Sequence, residues 1–254
     1  MEATASPALR VALDRPADKA RMGATAVRAV MVVMADASRS SFLGTGQSSR
    51  IWCGASVAAA AAGAAGTAEE PVAAAKAVLK KVFAGMKEVA LPTGPWEDAG
   101  SLIVSVEAAA SFRSLIRSGK ISELTDPLGQ ISGYLNEQYS AADYQQALKV
   151  REILQRKMDA IFESFDVLVA PSQPVPATPL TLNLETGLSF PDPLGAIGNL
   201  CGLPALSVPC GFTEKNLPIG FQFMAGAGDD IAAIQAARTF QQHTEWHQRH
   251  PRIH

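Results

Sequence analysis

The sequence predicts an α/β protein with a mixed sheet. Three observations carry this reading. Apolar residues recur at helical spacing through long stretches between residues 71 and 162. The run Asp166-Val-Leu-Val-Ala170 is continuously apolar after its first residue, as suits a strand buried on both faces. Two further strand-like runs, Ala205–Pro209 and Ile219–Met224, stand a hairpin turn apart. With 254 residues, 48% of them hydrophobic, the chain can bury a real core as one large domain or two small ones.

The elements follow in order. Residues 1–68 hold six arginines, one lysine and four acids, a local charge of +3. This leader is rich in Ala, Arg, Ser and Gly. A helix is expected over about Ala17–Met34, without a clean apolar stripe. Ala55–Ala68 is almost all Ala and Gly and offers little volume to pack. From Glu69 the character changes, and residues 69–254 carry a local charge of -5. Glu69-Glu70-Pro71 opens a helix running to Met86, with Val72, Ala75, Leu79, Val82 and Phe83 on one side and Gly85 near its end. Met86–Leu91 reads as a short strand closed by Pro92. Trp96–Arg117 reads as one helix stopped at Gly119. Ser140 is an N-cap for a long helix, Ala141–Phe162. After the strand at 166–170, Pro171, Pro174, Pro176 and Pro179 forbid further regular structure. A short helix at Ala196–Leu200 is broken by Gly202 and Pro204. Asp229 or Asp230 caps a final amphipathic helix from Ile231 to about Gln242.

Composition excludes several function classes. A net charge of -2 is no footprint for nucleic acid. Three cysteines with no Cys-x-x-Cys spacing are no disulfide scaffold and point to a reduced, cytoplasmic setting. Cys201 and Cys210 lie in an apolar segment and read as small core residues. The apolar run Ala29–Ala35 starts too late for a secretory signal, and no stretch suits a membrane span.

The chemistry is conspicuous by position. All four histidines (His243, His247, His250 and His254) lie in the last twelve residues. A Ser-His-Asp site therefore has no base in the body of the chain. The histidine tail would ligate a metal only if it stayed helical, and a solvated terminus is the expected state. Lys76, Lys80 and Lys81 read as a solvated helix face. Glu97-Asp98 and Asp229-Asp230 sit beside helix starts, where the dipole favours carboxylates. Tyr134, Tyr139 and Tyr144 read as a packed connector.

Three blocks share one resemblance. They are Phe165-Asp-Val-Leu-Val-Ala-Pro-Ser-Gln-Pro174, Asn199-Leu-Cys-Gly-Leu-Pro-Ala-Leu-Ser-Val-Pro-Cys-Gly211 and Leu217-Pro-Ile-Gly-Phe-Gln-Phe-Met224. In content and mutual spacing they resemble the C-terminal half of amidase signature enzymes, over roughly residues 69–251. The resemblance implies the C-terminal part of a mixed-sheet α/β/α fold preceded by a poorly specified leader. It divides the chain into an unrelated leader, 1–68, and an amidase-type portion, 69–254. It implies hydrolysis of carboxamides by a Ser–cis-Ser–Lys triad, with backbone amides holding the oxyanion. No cofactor and no metal are implied. Such a triad needs no imidazole, which accounts for the histidine-free body.

The triad belongs to the family's N-terminal half, and its Gly-rich serine run has no counterpart here. Gly46-Gln-Ser-Ser-Arg-Ile51 is only a faint echo. No catalytic residue is therefore assigned. The late loops of the family border the acyl pocket, so the resemblance implies Ser172, Gln173 and Asn199 as substrate-lining residues. Backbone support of turns beside prolines is the alternative role for Ser172 and Asn199. The expected protein is a truncated amidase, inactive alone, whose leader is unrelated or out-of-frame text. Its expected partner is a small-molecule amide, once a missing half completes the site. A non-catalytic remnant that binds a complementary half or a second copy is one alternative. An amidase using Ser48 or Ser49 is the other.

Overall fold

The computed structural model describes residues 29–31, 69–83, 86–125, 127–173, 175–180 and 193–250. Strand β1 (Ala29–Met31) precedes four helices: α1 (Glu69–Val82), α2 (Trp96–Ser111), α3 (Arg113–Arg117) and, after a 3-10 turn at Lys120–Glu123, α4 (Pro127–Asn136). Then come α5 (Ala141–Phe162), β2 (Val167–Pro171), α6 (Pro193–Cys201), β3 (Ala205–Phe212), β4 (Pro218–Ala225) and α7 (Asp230–Gln241). A 3-10 turn at Trp246–Gln248 ends the described chain's regular structure.

The sheet order is β1-β2-β4-β3. β1 runs parallel to β2, and the other two pairs are antiparallel. The sheet is therefore mixed, as the sequence predicts. Side chains alternate across a strand, and here both faces are covered. Val167 and Val169 of β2, Phe221, Phe223 and Ala225 of β4, and Val208 and Cys210 of β3 enter one core. Helix α1 closes that core with Ala75, Leu79 and Phe83, and α7 with Ala233, Ala236, Ala237 and Phe240. Leu168, Ala170 and Met224 face the opposite way. They meet Trp96, Ala99 and Ile103 of α2, Ala147, Leu154 and Met158 of α5, and Leu194, Ile197, Leu200 and Cys201 of α6. The result is three layers, helices on sheet on helices.

Local chemistry sets the helix ends. The Ser140 hydroxyl accepts from the Asp143 backbone N–H at 3.1 Å, and the Asp143 carboxylate accepts from the Ser140 N–H at 3.3 Å. This capping box fixes the start of α5 where the sequence places it. Asp229, one of the two acids expected to cap the last helix, is the residue that does so, accepting from the Ala232 N–H at 3.2 Å. Gly202 ends α6 with φ of +71°, and Leu203 N–H donates to the Gly198 carbonyl at 2.9 Å. A side chain there would strain the left-handed turn, hence the glycine.

Four expectations need correction. Ala29–Met31, inside the stretch expected to be helical, is a strand; β-branched and apolar residues can serve either state, and pairing with β2 decides. The rest of the 17–34 stretch lies outside the described residues. Met86–Leu91 forms no strand and keeps only a single bridge residue, Glu88. The expected helix at Trp96–Arg117 breaks at Phe112, whose ψ of 16° interrupts the regular turn between α2 and α3. The connector at 120–136 contains regular structure that the sequence reading missed, the 3-10 turn and α4.

Phe240 is fully buried and lies against the rings of Phe221, Phe223 and Trp246 at centroid distances of 6.3, 5.6 and 5.9 Å. Replacing it removes the bridge between α7 and β4. Phe240→Ala is expected to cost about 3–5 kcal/mol in urea unfolding. A loss of under about 1 kcal/mol would mean that this core does not hold α7 to the sheet.

Candidate functional site

The three blocks singled out in the sequence converge at one end of β2. Register explains how. Ala170 of β2 and Ser207 of β3 both pair with Gln222 of β4, so their side chains share the face that carries α6. Ser172 follows Ala170 by two positions and stays on that face, its N–H donating to the Gly220 carbonyl at 2.8 Å. The Ser172 and Ser207 hydroxyl oxygens lie 2.6 Å apart, above the β4 backbone at Gly220. A Cβ on Gly220 would stand 3.0 Å from both oxygens. Glycine at this position therefore makes the room in which residues from two non-adjacent strands meet.

Gln222 is nearly buried and donates from Nε2 to the Pro171 carbonyl at 3.4 Å. Ser172 is half-buried, while Ser207 and Gln173 are exposed. Asn199 is exposed on α6, over the same sheet face, and its backbone carbonyl accepts from the Gly202 N–H. Among the described residues it shares no hydrogen bond with Ser172 or Gln173. Of the three lining residues that the sequence implies, the fold thus engages Ser172 in a polar cluster and leaves Gln173 and Asn199 as exposed amides. Ser207 and Gln222 were missed, because each reads as an ordinary strand residue. Counting two residues back from Met224 and two forward from Ala205, which pair in the ladder, places both on one face.

Other candidates carry less. Ser48 and Ser49 lie outside the described residues. Lys80 and Lys81 are exposed at the end of α1. Tyr144 donates to Glu107 at 3.0 Å, which raises its pKa, and Tyr134 and Tyr139 are exposed. The histidine tail does not stay helical, since α7 ends at Gln241 and a separate 3-10 turn follows. An open groove of about 830 Å³ lies there, lined by Arg238, His243, Glu245 and His247 among others. Among the described residues no three His, Cys, Asp or Glu side chains come together as a metal site. No described helix is long and apolar enough to cross a membrane.

Comparison with known proteins bears on this arrangement. The sequence profile of the family described as Amidase matches residues 71–233. A glutamyl-tRNA(Gln) amidotransferase subunit from Geobacillus kaustophilus is 32% identical over 213 residues, covering 72% of this chain and 42% of that protein. The corresponding subunit from Methanosarcina barkeri is 41% identical over 125 residues, covering 46% of this chain and 25% of its own length. A bacterial aryl acylamidase of the amidase signature enzymes has a similar fold, with a TM-score of 0.57 and 21% identity over 71% of this chain and 41% of that one. The chain spans about two-fifths of the length of the Geobacillus protein.

Cys201 and Cys210 are buried free thiols, and burial raises them to about 11 and about 12. The thiolate is the reactive form, so neither is a nucleophile near neutral pH. Unfolded thiols ionise near the ordinary 9.0, so this contribution to stability is complete below that value and is lost as pH climbs toward 11 and 12. Iodoacetamide at pH 8 is expected to leave both unmodified in the native chain and to label both after denaturation. Mass mapping checks this, and rapid native labelling of either residue would return it to the list of nucleophiles.

Proposed function

The chain belongs to the amidase family, and on that premise we propose that it forms the substrate-side portion of a carboxamide hydrolase. The family match across 71–233 is the observation that carries the reading. The described surface supports it, because the matched blocks bring polar side chains together at one end of the sheet. Ser172, Gln173 and Asn199 line the acyl side of the substrate in this reading. In the family's Ser–cis-Ser–Lys set the nucleophilic serine attacks the amide carbon, the lysine-polarised cis serine takes its proton and passes it to the leaving amine, and water then releases the acid from the acyl-serine. The matched portion supplies no nucleophile of its own, so hydrolysis requires a segment bearing the Gly-rich serine run. The protein works in the cytoplasm on a small-molecule amide and uses neither nucleic acid nor a membrane.

A second reading rests on a specific feature of the sheet. β1 and β3 are its two edges among the described strands. An open edge presents unpaired backbone donors and acceptors, which favours association with another chain. In this reading the protein is a non-catalytic partner of a complementary half or of a second copy. The leader, residues 1–68, is then the part foreign to the family.

Ammonia release from a simple primary amide separates both readings from an active amidase that uses Ser48 or Ser49. The purified chain is expected to show no turnover above background, unchanged by Ser48→Ala and Ser49→Ala. Turnover abolished by either substitution would place the nucleophile in this chain and overturn the assignment. Light scattering tests association, for which the second reading requires a species other than a monodisperse monomer.

A further inference from the structure

We propose that the groove at the end of α7 is a second ligand site, which takes a small organic oxyanion with its anionic group on Arg238 and His243 and its apolar body against Val78 and Trp246. The groove lies in the layer of α1 and α7, across the sheet from the face that carries Ser172 and Ser207. No part of the amidase reading uses it, and the site stands or falls independently of that reading.

Arg238 is exposed on α7, and among the described residues its side chain makes no ion pair or hydrogen bond. A guanidinium is a planar fork of N–H donors that matches an oxyanion at two points. His243 has a fixed tautomer. Its Nδ1 lies 2.9 Å from the Thr239 carbonyl. A carbonyl oxygen only accepts, so Nδ1 carries the hydrogen. Nε2 remains for a ligand, as a lone pair when the ring is neutral and as an N–H donor when it is charged. An anion beside the ring favours the charged form. Binding therefore draws a proton onto Nε2 and gains a second donor. His247 lines the same groove, but its Nδ1 is buried without a hydrogen-bond partner among the described residues. An imidazolium carries two N–H donors. His243 has an acceptor for its Nδ1–H and His247 has none, so His243 is the ring placed to take up the charge.

The end of a helix presents carbonyls, which disfavour an anion. Here they are already engaged. The carbonyls of Arg238, Phe240 and Gln241 accept from the backbone N–H groups of Gln242, His243 and Thr244, and that of Thr239 from the His243 ring. Glu245 is the one carboxylate among the lining residues, and no ion pair joins it to Arg238. It opposes an anion and leaves the guanidinium open. Val78 of α1 and Trp246, both partly buried, form the apolar wall. Trp246 is held against Phe240, with ring centroids 5.9 Å apart. At about 830 Å³ the groove has the size of a small-molecule site rather than that of a bare ion.

Benzenesulfonate and benzenesulfonamide form a matched test, since they share a ring and a sulfonyl group and differ in charge. Neither titrates across the range in which imidazole does, about pH 5 to 8. In NMR titrations of the 254-residue chain, benzenesulfonate is expected to shift the Trp246 indole N–H and the backbone amides of Arg238 and His243, and benzenesulfonamide to leave them in place. Sulfate, which lacks the ring, should bind more weakly. Affinity for benzenesulfonate should rise about fivefold from the top of that pH range to the bottom, the scale of one exposed ion pair. His243→Gln, whose amide can still donate to the Thr239 carbonyl, should abolish the rise. Arg238→Gln should weaken binding by about fivefold and Glu245→Gln should strengthen it, opposite signs that a structural role for two exposed residues does not produce. Urea midpoints establish that each variant is folded. Equal binding of the two ring compounds, sulfate binding as tightly as benzenesulfonate, shifts confined to other residues, a pH response that survives His243→Gln, or an affinity indifferent to Arg238→Gln would overturn the proposal.

Discussion

The alternation of β4 is the constraint on which the rest depends. From Ile219 to Ala225 every second residue enters the core beneath α1 and α7, namely Ile219, Phe221, Phe223 and Ala225. The residues between them, Gly220, Gln222 and Met224, face the layer of α2, α5 and α6. A slip of one residue in register would drive two phenylalanines into the polar end of the other face and bury Gln222 among aromatic rings. The cost of that exchange fixes the pairing with β2 and β3 on both edges of β4. Ser172 and Ser207 meet because of this register, with no direct pairing between their strands.

How legible each part was depends on where its determinants lie. The start and end of α5 are local: a capping box at Ser140 and Asp143, then an apolar stripe, are written within one stretch of chain. β2 was equally plain, because a strand covered on both faces has no polar positions to confuse it. β1 was not legible. Ala29, Val30 and Met31 suit helix or strand, and their state is decided by a parallel partner more than a hundred residues away. Met86–Leu91 carries strand-like residues but finds no ladder, so propensity alone leaves it irregular. The break at Phe112 likewise lacks a local marker, since neither Gly nor Pro stands there.

The site divides in the same way. The glycine and proline positions in the three blocks could be read because each answers a backbone need that no other residue meets, as Gly202 does at the end of α6. Ser172 was implied by the resemblance of its block to the family's late proline loop. Ser207 did not, since a serine in a strand is usually a solvent-facing residue of no consequence. Its significance comes from Gly220 and Gln222, which the chain supplies later, and from a face parity that emerges once the hairpin register is known.

The absence of imidazole from the body of the chain acquires a physical sense from this surface. A histidine beside an amide substrate titrates near neutrality and can carry a charge. The side chains that the structure gathers at the end of β2 are instead two hydroxyls and an amide, Ser172, Ser207 and Gln222, none of which carries a charge at ordinary pH. Nothing in that set attracts a carboxylate by charge, so recognition falls to the count and direction of donors and acceptors. The backbone register of β4 is what brings these neutral groups together.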